Sequence, residues 1–416
     1  MNQTLTDIDA DLDADPTSEV APHPRTRPAL VAALSAPQGF GDQTLRSPRP
    51  DAIELLGGIP DPSVLPASEL AEATTRVLSR PGSPALQYSR AEGLPQLREW
   101  IAAREGVAPE RILITNGGFH GLSLAVQAVV ERGDLVAVDN PVFPLFLRGL
   151  QLSAARTLPI PVGPQGLDVA RLAEELRGGA RPSALYTVPD FHNPAQSVLP
   201  EAERRELVRL AERYGFVVIA DNPYRELRFS GEQVTTAPFY ESDHVIEVGT
   251  FTKTLGPGLR LGWVVLPERF RDDVIALRSR ADGHSSTLVQ AIVAELVTGD
   301  PGLFDRVLNR ARALYRDRAT VLANALESAA PGAFDIEDPE GGLFLWPRLR
   351  DERIDPERLA EDASATGVEY QRGSFFPSGP GTDADRHLRL SYGDNDADRL
   401  REAAARLGRA IAAQPR

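Results

Sequence analysis

The chain alternates short apolar runs with segments of helical periodicity between about residues 70 and 267. Residues 122–130 and 201–214 repeat apolar side chains every three or four positions, which predicts helices. The apolar runs predict buried strands at Ile112–Thr115, Leu135–Asp139, Leu185–Val188, Val217–Ala220, Val245–Val248 and Gly262–Leu266. Strands and helices in this order predict an α/β fold, with a mostly parallel sheet covered by helices on both faces.

The last third of the chain departs from this alternation. A long amphipathic helix is predicted first, because apolar side chains mark one face of it between Phe304 and Ala325. Two strand-like segments and a final helical pattern follow, at Gly342–Trp346, His387–Tyr392 and Leu400–Ile411. These elements predict a smaller α+β domain at the end of the chain.

Three regions result from these patterns. We predict a large domain over residues 70–295, and a small domain built from residues 51–69 and 296–416. Residues 1–50 combine an acidic run with several prolines, so we predict that this segment is largely disordered.

The composition argues against several classes of site and partner. The chain has 416 residues, a net charge of −14 and no cysteine, which excludes disulfides and thiolate metal sites and argues against nucleic acid as a partner. The six histidines show no metal-ligand spacing, so we predict no metal. No apolar run is long enough for a membrane helix and the N-terminus has no signal pattern, so we predict a cytoplasmic protein.

Lys253 is the only lysine in the sequence, whereas the chain has 45 Lys and Arg residues together. Arginine replaces lysine readily on a solvated surface, but it stays protonated and cannot act as an amine nucleophile. A chance remnant of arginine-rich composition and a reactive amine both remain possible at this point, and the neighbouring residues decide between them.

The segment around Lys253 fits neither of two common phosphate-binding motifs. Thr252 stands where a Walker loop requires glycine, and Gly262 falls one residue late for a dinucleotide-binding fingerprint. The segment instead places a lysine at a strand end, beside hydroxyl groups and seven residues before Arg260. Such a set could hold a phosphorylated aldehyde through an imine.

This segment resembles the S-x-S-K-x-x-x-P-G-x-R-x-G motif of fold-type I pyridoxal-phosphate aminotransferases of class I/II. Further segments resemble family landmarks in the family's order: Gly57–Pro60, Leu86–Gly93, Thr115–His120, Asp139–Phe143, Pro189–Pro194, Ala220–Tyr224, Pro339–Trp346 and Leu388–Tyr392. The resemblance covers residues from about 53 to the C-terminus. It is closest to the 2-aminoadipate aminotransferases and to the aminotransferase-like half of MocR-type regulators, without their DNA-binding domain.

The resemblance implies an enzyme that uses pyridoxal 5'-phosphate (PLP). Its partners are a small-molecule amino acid and a 2-oxo acid, which exchange an amino group by a ping-pong mechanism through an internal aldimine on Lys253. The family also implies a homodimer with shared active sites, to which Tyr88 contributes from the neighbouring subunit. A role in specialised amino-acid biosynthesis is a further expectation.

The resemblance also assigns roles residue by residue. Lys253, Asp221 and Tyr224 are the expected catalytic residues, because the lysine binds the cofactor and Asp221 keeps the pyridine nitrogen protonated. Arg389 is expected to grip the substrate carboxylate, with Asn193 and Gly58 beside it. The expected cofactor-binding residues are Gly118, Phe119, His120, Phe143, Asn193, Asp221, Tyr224, Thr250, Thr252, Lys253, Arg260 and Tyr88.

Several positions depart from the family pattern. Gly118-Phe119-His120 replaces side-chain donors at the phosphate turn, His192 replaces a usual glutamine, and Ala195-Gln196 replaces a usual Thr-Gly. Two alternatives stay open: another PLP reaction, such as decarboxylation, elimination or oxidation, and a ligand-sensing regulator. The regulator is disfavoured, because residues 1–50 are too short and too acidic for a DNA-binding domain.

Overall fold

The computed structural model describes residues 51–82 and 84–414, which belong to one compact unit. The segment 1–50, for which we predicted disorder, lies outside the described residues. The strands are β1 (Ile53–Leu55), β2 (Ile112–Thr115), β3 (Leu135–Asn140), β4 (Arg156–Gly163), β5 (Gly166–Leu167), β6 (Ala184–Thr187), β7 (Val217–Asp221), β8 (Val245–Thr250), β9 (Gly262–Val265), β10 (Phe334–Asp335), β11 (Phe344–Leu345), β12 (Arg348–Leu349), β13 (Val368–Arg372) and β14 (Leu388–Ser391).

Twelve α-helices connect these strands within the described residues. They are α1 (Ala67–Leu78), α2 (Pro95–Glu105), α3 (Gly118–Val129), α4 (Pro144–Leu150), α5 (Val169–Arg177), α6 (Glu201–Tyr214), α7 (Ala237–Tyr240), α8 (Glu268–Ala281), α9 (Thr287–Gly299), α10 (Leu303–Ala329), α11 (Pro356–Ala365) and α12 (Ala397–Ala412).

An eight-stranded sheet forms the centre of the molecule, in the order β2-β9-β8-β7-β6-β3-β4-β5. Strands β8, β7, β6, β3 and β4 run parallel to one another, whereas β9 is antiparallel to both β2 and β8. The parallel strands therefore end at the same edge of the sheet, where α/β folds usually bind ligands. The six predicted strands and the mostly parallel sheet are confirmed.

Helices cover both faces of this sheet because its central strands are apolar on both sides. In β7, Val218 and Ala220 pack in one cluster with Leu172 of α5 and Leu207 of α6. The intervening Ile219 belongs to the opposite cluster, together with leucines of α3. Burying each large aliphatic side chain of this kind contributes about 1.5–3 kcal/mol.

A four-stranded sheet, in the order β1-β13-β14-β11, lies in the C-terminal part of the fold. β1 is parallel to β13, and β14 is antiparallel to both β13 and β11. The N-terminal strand β1 thus joins strands that lie far along the chain. The division into domains at residues 70 and 295 stays a prediction.

Helix α3 begins at Gly118, four residues before the predicted start at residue 122. Its first turn, Gly-Phe-His-Gly, has no apolar periodicity, so the pattern of the sequence concealed it. Gly117 makes the start possible, because its φ of 84° lies in the left-handed region that favours glycine.

Candidate active site

Lys253 lies just beyond β8, in the connection to β9, and it is partly buried. Its Nζ donates a hydrogen bond of 2.6 Å to the Gly58 carbonyl oxygen and lies 5.9 Å from the centre of the Tyr224 ring. Burial, and next the positive charge of Arg389, lower the pKa of Lys253 to about 8. At pH 7 about a tenth of this amine is therefore unprotonated and can act as a nucleophile.

Asp221 is the last residue of β7, and its carboxyl group is buried. Its Oδ2 accepts a hydrogen bond of 2.9 Å from the Tyr186 hydroxyl group. Burial raises the pKa of Asp221 to about 7, although the Tyr186 hydrogen bond and the Lys253 charge oppose this rise. A cation placed beside Asp221 would keep the carboxyl group ionised, because a nearby positive charge lowers the pKa of a buried carboxyl group.

Hydroxyl groups, an arginine and a helix N-terminus meet at the start of α3. A Cβ built on Gly118 would lie 3.6 Å from Thr250 Cβ, and one on Gly117 would lie 3.0 Å from Arg260 Nη2. Thr250 Oγ1 is 2.7 Å from Thr252 Oγ1. The first N–H groups of a helix have no partner within the helix and favour an anion, so this cluster can cradle a phosphate group.

Arg389 lies in β14 and is buried, at 2% exposure. Its Nη1 donates a hydrogen bond of 2.9 Å to Asn193 Oδ1, and its Nη2 donates to the Leu56 carbonyl oxygen. The guanidinium carbon lies 4.2 Å from the centre of the Phe344 ring. Burial lowers the pKa of Arg389 to about 10, so the group remains a cation at neutral pH.

A cavity of about 140 Å³ connects Lys253, Asp221 and the cluster at the start of α3. Its lining consists of Gly118, Phe119, Leu122, Phe143, Val188, Asn193, Asp221, Pro223, Tyr224, Thr250, Thr252, Lys253 and Arg260. The cavity combines a phosphate cradle, a buried carboxyl group and a lysine amine. These are the groups that the phosphate, the ring nitrogen and the aldehyde of PLP require, so the residues present fit this cofactor.

Ten of the predicted site residues line this cavity, and Gly58 and Arg389 hydrogen-bond to two of them. The side chain of His120 does not: its Nδ1 accepts a hydrogen bond of 3.1 Å from the Asn116 N–H. His120 is thus outside the cavity lining, and its predicted role at the cofactor stays a prediction. Tyr88 also lies outside the cavity of its own chain, 94% exposed, with its ring edge-on to His284 at 5.8 Å.

Tyr186 is a neighbour of Asp221 that the sequence did not reveal. It lies in the apolar strand β6, where a tyrosine is typical of a packed core, and its ring stacks on Phe146 at 3.5 Å. Its hydroxyl group reaches Asp221 because β6 and β7 are neighbouring parallel strands. Only the order of strands in the sheet could have indicated this contact.

Two further classes of site are absent from the described residues. Residues 51–82 and 84–414 contain no group of three or more side chains that could hold a metal ion. Among the same residues, none of the helices has the length and apolarity needed to cross a membrane.

Comparison with known proteins identifies the family. The sequence model described as "Aminotransferase class I and II" matches residues 58–407. The 2-aminoadipate transaminase of Thermus thermophilus is 34% identical over 87% of this chain and 91% of its own length. The aromatic-amino-acid aminotransferase 1 of Thermococcus litoralis is 32% identical over 87% of this chain and 88% of its own length.

A solved structure agrees with these relatives. The alpha-aminoadipate aminotransferase LysN of T. thermophilus, complexed with N-(5'-phosphopyridoxyl)-L-leucine, superposes with a TM-score of 0.80. It is 33% identical, and the match covers 90% of this chain and 95% of that one. The bound pyridoxyl-phosphate derivative in that structure agrees with the fit of the cavity to PLP.

The protein is an enzyme that moves an amino group between an L-amino acid and a 2-oxo acid in a ping-pong sequence, with PLP as its cofactor. The prediction of an aminotransferase is therefore confirmed. The chain belongs to the class I and II aminotransferase family.

Proposed function

We propose that the cavity around Lys253 is the active site, with Lys253, Asp221 and Tyr224 as its catalytic residues. One observation carries this proposal. The only lysine of the chain, a buried carboxyl group and a phosphate cradle line the same cavity, and a buried arginine hydrogen-bonds to its wall at Asn193.

The cofactor, when bound, supplies an electron sink for the substrate. Burial lowers the pKa of Lys253 to about 8, so the released amine could take up the proton that leaves the substrate Cα and give it up again within the same half-reaction. Asp221 is the counter-charge for the ring nitrogen. Tyr224 and Asn193 supply hydrogen bonds on the same side of the cavity, and burial raises the pKa of Tyr224, which keeps its hydroxyl group protonated as a donor.

Arg389 is the proposed site for the α-carboxylate of both substrates. A guanidinium group binds a carboxylate with two parallel hydrogen bonds, which fixes orientation as well as affinity. The Asn193 and Leu56 oxygens hold this guanidinium in place.

Because Gly58 has no side chain, its backbone approaches Lys253 closely: a Cβ there would lie 2.6 Å from Phe344 Cζ and 3.6 Å from Lys253 Nζ.

We also propose a homodimer with shared active sites. Leu86 and Tyr88 are 62% and 94% exposed, and Tyr88 lies beside His284, so this surface offers apolar area that a second copy could cover. A second copy would bury them and could bring Tyr88 to the phosphate cradle of the first. Size-exclusion chromatography with light scattering should give a dimer, and a stable monomer with full activity would exclude the sharing.

The substrate class is proposed from the relatives. Their names refer to 2-aminoadipate and to aromatic amino acids, and the LysN structure contains a leucine derivative. We propose that this enzyme likewise takes amino acids whose side chains have several carbon atoms, in specialised biosynthesis in the cytoplasm. A screen of amino donors and 2-oxo acids should show a preference for such side chains over alanine.

A single-turnover experiment tests the proposed function. An amino acid is added to the cofactor-loaded enzyme without an acceptor. Pyridoxamine phosphate and the 2-oxo acid should form in equal amounts, one per site, and a second 2-oxo acid should restore the original absorbance. Carbon dioxide, ammonia or hydrogen peroxide as the main product would contradict the proposal.

A further inference from the structure

His192 forms the centre of the loop that connects β6 to α6, which carries Asn193. Its N–H donates a hydrogen bond of 2.9 Å to the Ser197 carbonyl oxygen, and its own carbonyl oxygen accepts one of 2.6 Å from the Gln196 N–H. Its ring Nδ1 accepts a third, of 3.2 Å, from the Ala195 N–H. The backbone and the ring of His192 thus close the loop around Asn193.

The other ring nitrogen of His192 connects this loop to the sheet. Nε2 lies 3.0 Å from Asp139 Oδ2, and the two side chains are 1% and 0% exposed. Because Nδ1 accepts the Ala195 N–H, the proton of a neutral ring is on Nε2, which therefore donates to Asp139. Asp139 Oδ2 also accepts the Val188 N–H at 3.0 Å, so the carboxylate ties β3 to the end of β6.

The loop needs such an anchor because its backbone is strained. Phe191 and Gln196, on either side of Asn193, have φ angles of 52° and 62°. The left-handed region is unfavourable for a bulky residue, so the surrounding contacts must impose this conformation. The buried bridge between His192 and Asp139 is the contact that joins the strained segment to the rigid sheet.

Asn193 transmits the position of this loop to the substrate site. Its Oδ1 accepts the 2.9 Å hydrogen bond from Arg389, the proposed carboxylate-binding residue. We propose that His192 and Asp139 form a buried clamp that positions Asn193, and through it Arg389, for the substrate carboxylate. This inference rests on the proposed function, and in it His192 is a positioning residue that touches neither substrate nor cofactor.

Two substitutions separate the halves of the clamp. His192→Gln places an amide nitrogen where Nε2 was, so it keeps the bond to Asp139. His192→Asn keeps an acceptor for the Ala195 N–H but is too short to reach Asp139. Each variant keeps one of the two ring hydrogen bonds, and Asp139 still accepts the Val188 N–H in both, which favours folding.

The asparagine variant should raise the KM of amino acid and 2-oxo acid alike by on the order of tenfold, with a smaller loss of kcat. In the apoprotein, amide hydrogen exchange of residues 189–197 should become faster, which reports on the loop without any bound cofactor. The glutamine variant should stay close to wild type in both measurements. A matched control is His244→Asn, since His244 is bonded to the Phe216 carbonyl oxygen and does not line the cavity.

A double substitution tests whether His192 affects KM through Asn193. In an Asn193→Ala background, His192→Asn should raise KM no further, because the clamp acts through Asn193. Equal KM and exchange in the wild type and the asparagine variant would overturn the proposal, as would an additive effect in the double variant. An Arg389→Ala variant with unchanged KM would instead refute the proposed carboxylate site, so the two failures are distinguishable.

Discussion

Asp221→Asn should stabilise the apoprotein while it abolishes most of the activity. Burial raises the pKa of Asp221 from 3.8 to about 7, so the folded apoprotein loses free energy when this carboxyl group ionises. This loss of folding free energy is absent at a pH below the pKa of 3.8 in the unfolded chain. It grows as the pH rises from 3.8 to about 7, and it is complete above about pH 7. Asparagine carries no charge, and its side-chain oxygen can still accept the hydrogen bond from Tyr186.

The magnitude follows from the shift of the pKa. A difference of about three pKa units corresponds to about 4 kcal/mol at full ionisation, at about 1.36 kcal/mol per unit. Between about pH 5.5 and about pH 8, the cost in the wild type should grow by about 2 kcal/mol. The advantage of the Asp221→Asn apoprotein over the wild type should grow by the same amount.

Urea unfolding of the two apoproteins, at one protein concentration and at both pH values, measures this difference. A suitable control is Asp398→Asn, because Asp398 is 95% exposed and should show no such dependence. The cofactor-loaded Asp221→Asn enzyme should retain PLP but lose turnover severely. A stability difference that is independent of pH, or an active variant, would refute the reasoning.

Two further predictions concern the cations of the site. Arg389→Ala should raise the KM of both amino acid and 2-oxo acid by about 10- to 100-fold, because it removes ~1.5–3 kcal/mol of charge-assisted hydrogen bonding. The exposed Arg401→Ala should leave both KM values unchanged. Steady-state kinetics with each substrate varied measures both values, and a change in only one KM would contradict the prediction. The rate at which PLP attaches to the apoprotein should rise with pH and level off above about pH 8, because burial lowers the pKa of Lys253 and only the unprotonated amine attacks. Stopped-flow absorbance measures this rate. A rate that does not change with pH below and above pH 8 would contradict the prediction.

The order of apolar segments was enough to predict the sheet, because its strands are buried on both faces and their apolar runs are distinct. Val217–Ala220 and Val245–Val248 each correspond to an observed strand. The order of the strands was not predictable, since it depends on contacts between distant segments. The pairing of β1 with β13 is one such contact, because so short a strand gives no local signal of a partner far along the chain.

The resemblance to family motifs predicted that most of the cavity residues belong to one site. It could not place side chains whose contacts depend on the local backbone. The cofactor contact predicted for His120 stays a prediction, and its ring accepts a hydrogen bond from the Asn116 N–H. Tyr186 and the bridge between His192 and Asp139 were not foreseen, because they depend on the register of neighbouring strands.

The central claim is that Lys253 holds the cofactor and is released when an amino acid reacts. Borohydride reduction of the loaded enzyme, followed by peptide mapping, tests it directly because the chain has no other lysine. We expect the phosphopyridoxyl label on Lys253 in the resting enzyme, its loss after saturating amino acid, and its return after a 2-oxo acid. A label confined to the N-terminal amine, or one on Lys253 that amino acid does not change, would contradict the account.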